Sequence, residues 1–154
     1  MSHHFRTYWR SYLFQSLCAV LAMLLVLLAF NLQQATIATS FAATIFILFM
    51  APTSDAARPR KVIGGHAVGL ISGILWSLLP QTALVPTVMA HAFAVGTAAL
   101  LMTVLDLEHP PAAGTALTVV LEGYSVALVL AILISVILLA LAYRFLRPVL
   151  RDLV

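Results

Sequence analysis

DLEHPPAAGTAL, Asp106 to Leu117, is the stretch on which the fold turns. Its first six residues hold two carboxylates, an imidazole and two adjacent prolines, in a chain that is 63% hydrophobic and 8% charged. Small residues follow, and then the pattern turns apolar again. A chain with so few polar groups places several of them beside a double proline, and the surrounding sequence explains why.

The chain has 154 residues and a mean hydropathy of +1.10. No Asp, Glu, Lys or Arg occurs from Ser11 to Ser54 or from Val62 to Leu105, and a third such run covers Gly123 to Tyr143. Runs of that length cannot be solvated and cannot share one small core, so the bilayer is the expected solvent. Arg6 and Arg10 precede the apolar stretch Leu13–Phe30, as in a signal peptide. That stretch exceeds the usual ~7–15 residues of a cleaved apolar region, and it is expected to remain as a first helix. Cys18, the only cysteine, lies inside it and has no partner for an internal disulfide. The net charge of +3 does not suggest nucleic acid, because the basic residues flank apolar runs instead of forming a stripe.

Breaks in the pattern predict five clear spans: Leu13–Phe30, Ala35–Ala51, Val62–Leu79, Leu84–Leu105 and Ser125–Leu146. The first two are joined by the polar turn Asn31–Gln34. All eight basic residues fall in three clusters: Arg6 and Arg10; Arg58, Arg60 and Lys61; Arg144, Arg147 and Arg151. The positive-inside tendency puts all three in the cytoplasm. An even number of crossings must then separate Lys61 from Arg144, where only three clear spans lie. The missing crossing falls on the quoted stretch. Its helical part, Ala112–Leu121, would rise ~15 Å at 1.5 Å per residue, about half of a ~30 Å hydrocarbon core. Leu107–Pro111, if extended, could descend the other ~16 Å. The expectation is an all-α polytopic bundle of five full helices and a half-helix that starts at the proline corner near the middle of the membrane.

The residue types suit that place. Irregular backbone at membrane depth needs protein or a watery cavity around it. Pro110 and Pro111 have no N–H to leave unpaired, and proline favours the first helical position. His109 can cap the helix or face a ligand. Ala113, Gly114 and Thr115 would offer free N–H groups at a helix N-terminus, an end that attracts anions. Broken helices near the midplane hold small ions in transporters. The stretch ARPRKVIGGH repeats the chemistry, with Gly65 and His66 in the first turns of a helix and Arg58, Arg60 and Lys61 as an anion-attracting mouth. Asp106 and Glu108 are candidate proton carriers if they dip with the loop. Gly65, Gly69 and Gly73, Ala90, Ala94 and Ala98, and Ser40 and Thr44 recur at small-residue spacing that allows helices to approach closely. The first and last helices are bulky and aliphatic on all sides and are expected to face lipid. Trp76 and Tyr124 are expected at the outer interface.

At these residues the sequence resembles the HPP family of membrane proteins, named for the motif that stands here as His109-Pro110-Pro111. The likeness runs from about Ser40 to Leu141 and includes SFAATIFILFMAPTSDAARPRKVIGGH as well as HPPAAGTAL. It implies a small multi-pass protein, a single transmembrane domain over residues 1–154, with chloroplast and cyanobacterial relatives associated with nitrite transport. The combined expectation is a channel or transporter for a small inorganic anion in the inner cell membrane, both termini cytoplasmic. It would be a homo-oligomer, most simply a dimer, without cofactor or metal.

Two other classes compete. His66, His91, His109, Asp106 and Glu108 are all metal-ligand types and could serve a membrane enzyme. No two histidines have the helical spacing of a metal site, and no nucleophile motif occurs, so the expectation is a non-enzyme. A structural or regulatory subunit without cargo is the third class. A polar break at membrane depth is a costly feature for a scaffold.

Overall fold

Apolar backbone in a bilayer can satisfy its own polar groups only as helix or closed barrel, and each apolar stretch here becomes a helix. The computed structural model describes residues 3–29, 35–80 and 82–154. Six helices follow in order: α1 His3–Ala29, α2 Ala35–Met50, α3 Pro59–Ser77, α4 Leu84–Val104, α5 Pro111–Glu122 and α6 Val126–Leu146. A short 3-10 turn, Asp55–Ala57, lies before α3. Pro59 occupies the first turn of α3 and Pro111 that of α5, where a missing N–H costs nothing. The expected turn Asn31–Gln34 lies outside the described residues.

The bundle is all-α, but the count of five full-length helices needs correction. Among the described residues, three helices are long and apolar enough to cross a bilayer, over Arg6–Leu28, Pro86–Val104 and Val126–Val149. Of the others, α2 has 16 residues, α5 has 12, and α3 opens with Arg60 and Lys61.

Helix α5 is the centre of the molecule, packed on α2, α3 and α4. The small-residue stripe of α3 explains how closely it sits. A Cβ on Gly65 would lie 2.7 Å from Cβ of His109, and one on Gly73 would lie 2.7 Å from Cβ of Val119. At Gly69 it would overlap the carbonyl oxygen of Ala112. As α3 advances from Gly65 to Gly73, its partners advance from His109 to Val119, so the two helices are parallel. From the other side Ala90, Ala94 and Ala98 of α4 are completely buried in the same seam, with Ala112 and Ala116. Lipid is as apolar as leucine, so close backbone approach supplies the dispersion energy that holds such a seam. The stripe is therefore used within the chain and offers no surface to a second copy.

Parallel α3 and α5 agree in direction with the extra segment that charge parity called for. Other contacts gather the remaining ends on the same side: Leu153 N–H donates to the Met50 carbonyl (2.9 Å), Tyr12 to the Leu153 carbonyl (3.0 Å), and the Arg151 guanidinium lies 4.3 Å over the Tyr8 ring. Gln15, fully buried in α1, donates to the carbonyls of Phe49 and Arg151.

Two positions differ from expectation. The helix begins at Pro111, and only Leu107–His109 lies between the turn closing α4 and the proline corner. His109 is level with Gly65, six residues into α3, which is about 9 Å down that helix at 1.5 Å per residue. The corner thus lies about a third of the way along α3, not at its middle, and α5 covers the remainder. Helix α6 is also not lipid-facing on all sides: Leu128, Ile132, Val136, Leu139 and Tyr143 are buried, while Leu130, Ile134 and Leu141 are exposed. Hydropathy cannot separate these faces, because aliphatic side chains suit protein and lipid equally. Trp76 stacks on Phe93 (4.8 Å) and donates to Thr97 (3.0 Å), so its indole joins α3 to α4.

Candidate functional site

The parallel seam of α3 and α5 brings the two motif histidines together. His66 and His109 are both completely buried, with ring centroids 5.2 Å apart. Thr44 of α2 stands between them, its hydroxyl oxygen 3.1 Å from His66 Nε2 and 3.0 Å from His109 Nε2. The outer nitrogens are held as well. His66 Nδ1 is 2.7 Å from Thr115 Oγ1, and His109 Nδ1 is 2.9 Å from the Ala56 carbonyl oxygen. Ser40 donates to the Pro111 carbonyl at 2.7 Å and lies 3.1 Å from Thr115 Oγ1. Phe41 stacks on the far face of His66 at 5.4 Å, nearly parallel. One unbroken polar line thus runs from α2 through α5, α3 and α2 again to the turn before α3. Each buried polar atom in it has a partner, which is the condition for such a line to exist in an apolar interior.

About 7.5 Å above His66, in the first turn of α3, a second polar group forms at the rim. Lys61, itself buried, pairs with Asp55, with Asp106 (3.1 Å) and with Glu108 (2.6 Å). Arg60 reaches Asp106 at 3.5 Å, and Arg58 reaches Asp55 at 2.9 Å. The hydrogen bond from Lys61 is the largest influence on both Asp55 and Glu108 and holds their carboxyls below the usual range. Asp106 has a left-handed backbone, φ 55°, which lets the chain reverse at the end of α4; aspartate tolerates that conformation better than most residues.

These positions revise the expected roles. The N–H groups of Ala112 and Ala113 donate to the carbonyls of His109 and Pro110, so Ala113 is not a free donor. A Cβ on Gly114 would lie 3.2 Å from Cβ of Ser40, which makes the glycine a packing contact with α2. Gly65 packs on His109, and Pro110 and Pro111 set the corner. The helix end expected to hold an anion is packed on one side by α2 and α3, whereas the Thr115 hydroxyl does belong to the buried line. The expected mouth of free cations is balanced: Arg58, Arg60 and Lys61 face three carboxylates. Asp106 and Glu108 remain at that rim, 66% and 43% exposed, and do not descend. His91 bonds the Thr87 carbonyl toward the other end of α4.

Sequence reasoning read Ser40 and Thr44 only as small residues for packing, and overlooked Asp55 and Ala56. The available signal was chemical: α2 carries four hydroxyl residues in an otherwise apolar helix, and two of them, Ser40 and Thr44, stand one turn apart. A cleft of about 270 Å³ opens beside the corner, lined by Ala99, Met102 and Thr103 of α4 and by Glu108, His109, Pro110 and Ala113. Among the described residues, no three of His, Cys, Asp and Glu come together as a metal site would require.

Two transmembrane proteins of Dictyostelium discoideum are similar to this chain. One is 36% identical over 106 residues, 66% of this chain and 36% of the relative. The other is 34% identical over 84 residues, 54% of this chain and 27% of the relative. The chain therefore spans about a third of the length of these curated relatives. No solved structure matches. The family model described as HPP, transmembrane region, matches residues 4–150, and with the motif histidine at the centre of the buried line, the chain belongs to that family of integral membrane proteins.

Proposed function

We propose that the protein is a transporter for a small inorganic anion, nitrite being the first candidate through the family resemblance, and that it performs no chemistry on its cargo. The observation that carries the reading is the pair of buried imidazoles at a helix break, one of which, His109, borders a cleft that enters between α4 and the proline corner. Ionisable groups inside a membrane are costly and are kept chiefly for ion or proton pathways. At the rim Arg58, Arg60 and Lys61 face three carboxylates, and at the helix end the N–H groups of Ala112 and Ala113 are already bonded. His109 is then the group lining the cleft that can become positive, with His66 behind it through Thr44. Both termini cytoplasmic, placement in the inner cell membrane and assembly as a homodimer belong to the same proposal.

A scaffold reading has one observation in its favour, since every hydrogen-bonding atom of the line is paired inside the protein. Flux separates the two. Purified protein in liposomes is offered nitrite, nitrate, formate and chloride, with empty vesicles as the background. Uptake of at least one anion above background, lost in His109→Ala, is the expected result. No uptake of any anion by a correctly inserted protein overturns the transporter reading.

A further inference from the structure

The hydrogens of the buried line can be placed from one fixed point. The Ala56 carbonyl can only accept, so His109 Nδ1 carries a hydrogen. In a neutral imidazole the other nitrogen then accepts, and Thr44 must donate to His109 Nε2. The single Thr44 proton is now used, so His66 Nε2 must donate to Thr44 Oγ1. His66 Nδ1 is left as an acceptor, and Thr115 donates to it. With both rings neutral, the line has one direction: Thr115 to His66 to Thr44 to His109 to Ala56.

Each hydroxyl also has a second acceptor within reach. The Ser40 carbonyl lies 3.2 Å from Thr44 Oγ1, and Ser40 Oγ lies 3.1 Å from Thr115 Oγ1. A proton added to His109 Nε2 turns the Thr44 hydroxyl to the Ser40 carbonyl, and Thr44 Oγ1 then accepts from both rings. A proton added to His66 Nδ1 turns the Thr115 hydroxyl to Ser40 Oγ, while Ser40 keeps its bond to the Pro111 carbonyl. Neither state leaves a donor unpaired. A structural network needs one satisfied arrangement, and this one has three.

From this geometry we infer that His66, Thr44 and His109 form a one-proton relay, which takes up a single proton shared between the two rings. Two protons are excluded because imidazolium rings 5.2 Å apart in an apolar interior repel strongly. Resting on the transporter reading above, the relay makes the transported unit one anion plus one proton. Both rings are completely buried in this state, so a proton passes from water to an imidazole nitrogen only when the cleft beside His109 opens to it, and returns to water when the site opens to the other side; the occupied site stays neutral. The charged groups around the relay are Lys61 with Glu108 and Asp106 on the side of α3 and the α4–α5 loop, and Asp55 with Arg58 on the side of the turn before α3. Helix α4 contributes His91, which is bonded at its other end, and α2 contributes the uncharged Phe41.

Two measurements test the relay. Nitrogen-15 NMR of histidine-labelled protein in nanodiscs should show His109 protonated on Nδ1 and His66 on Nε2, assigned with His66→Gln and His109→Gln. Acidification should add one proton per chain across the pair. Reversed tautomers, or two rings that titrate independently, overturn the relay whatever the flux. In liposomes holding a pH dye, nitrite uptake should move protons one for one, and Thr44→Val should abolish the proton signal. Anion uptake without proton movement overturns the coupling and leaves the transporter reading intact. Absence of any uptake sinks the transporter reading, and the coupling with it.

Discussion

Lys61 and His66 stand five residues apart on α3, and the polar groups around them obey opposite rules. At the rim the partners are full charges. Lys61 is surrounded by three carboxylates, two of which are 66% and 43% exposed, so water shares the cost of their charge. One and a half turns deeper, the partners are two imidazoles and three hydroxyls, formally neutral, and no water-exposed group is present. Charge is balanced where water reaches, and hydrogen-bond valence is balanced where it does not. The comparison can be broken at four points.

The largest effect is expected below both regions. Gly69→Val would drive a side chain into the Ala112 carbonyl and wedge α5 from α3, on which the rim and the line both depend. Overpacking costs ~1–3 kcal/mol even where neighbours adjust, and here a whole helix must move, so no monodisperse protein should survive gel filtration in detergent. Gly96→Ala, which has nothing within 4 Å, should behave as the parent. A folded Gly69→Val would mean that α5 is not seated as described.

Next comes Thr44→Val, a near-isosteric change that removes the hydroxyl between the histidines. It leaves two buried ring nitrogens without a partner, at ~1–3 kcal/mol for each. Denaturant unfolding in detergent should show a loss of that order. A neutral outcome would show that the histidines do not depend on the bridge.

Lys61→Met should cost less, because water can solvate the freed carboxylates. Its signature is pH dependence. Asp55 and Glu108 have lowered folded-state pKa values. Their contribution is therefore present above the unfolded carboxylate pKa of about 4 and is lost as pH falls through the folded value. Thermal unfolding of the parent should weaken on acidification through that window, and Lys61→Met should show a flatter curve. Equal slopes would mean that the rim pairs do not stabilise the fold.

Arg58→Gln should do least. The pair with Asp55 is well exposed, and such pairs contribute little. Thermal stability should match the parent, and anion uptake should be equal at low and high salt. A selective loss of uptake at low salt would instead restore the picture of an unmatched cationic mouth.

Much of this was legible in the chain. Three basic clusters and an uneven count of clear spans located α5, and Pro111 marked its first turn. The motif histidines were visible, as was Thr115. What could not be read was the partner of each. Ser40 and Thr44 carry the same spacing whether they pack or hydrogen-bond. The N–H of Ala113 is free or taken according to a carbonyl three residues before it. Arg58, Arg60 and Lys61 look like a positive mouth until the α4–α5 loop brings Asp106 and Glu108 against them.

The sequence by itself determined the order of the helices and the place of the break along the chain, because those follow from hydropathy and proline within single segments. The tertiary structure alone decided that His66 and His109, 43 positions apart, meet through a threonine of α2. It also decided that the break lies a third of the way along α3. The physical reason is that helix rotation and depth in an apolar solvent are set by close packing at Gly65, Gly69 and Gly73. Each glycine's role depends on which helix comes to rest against it.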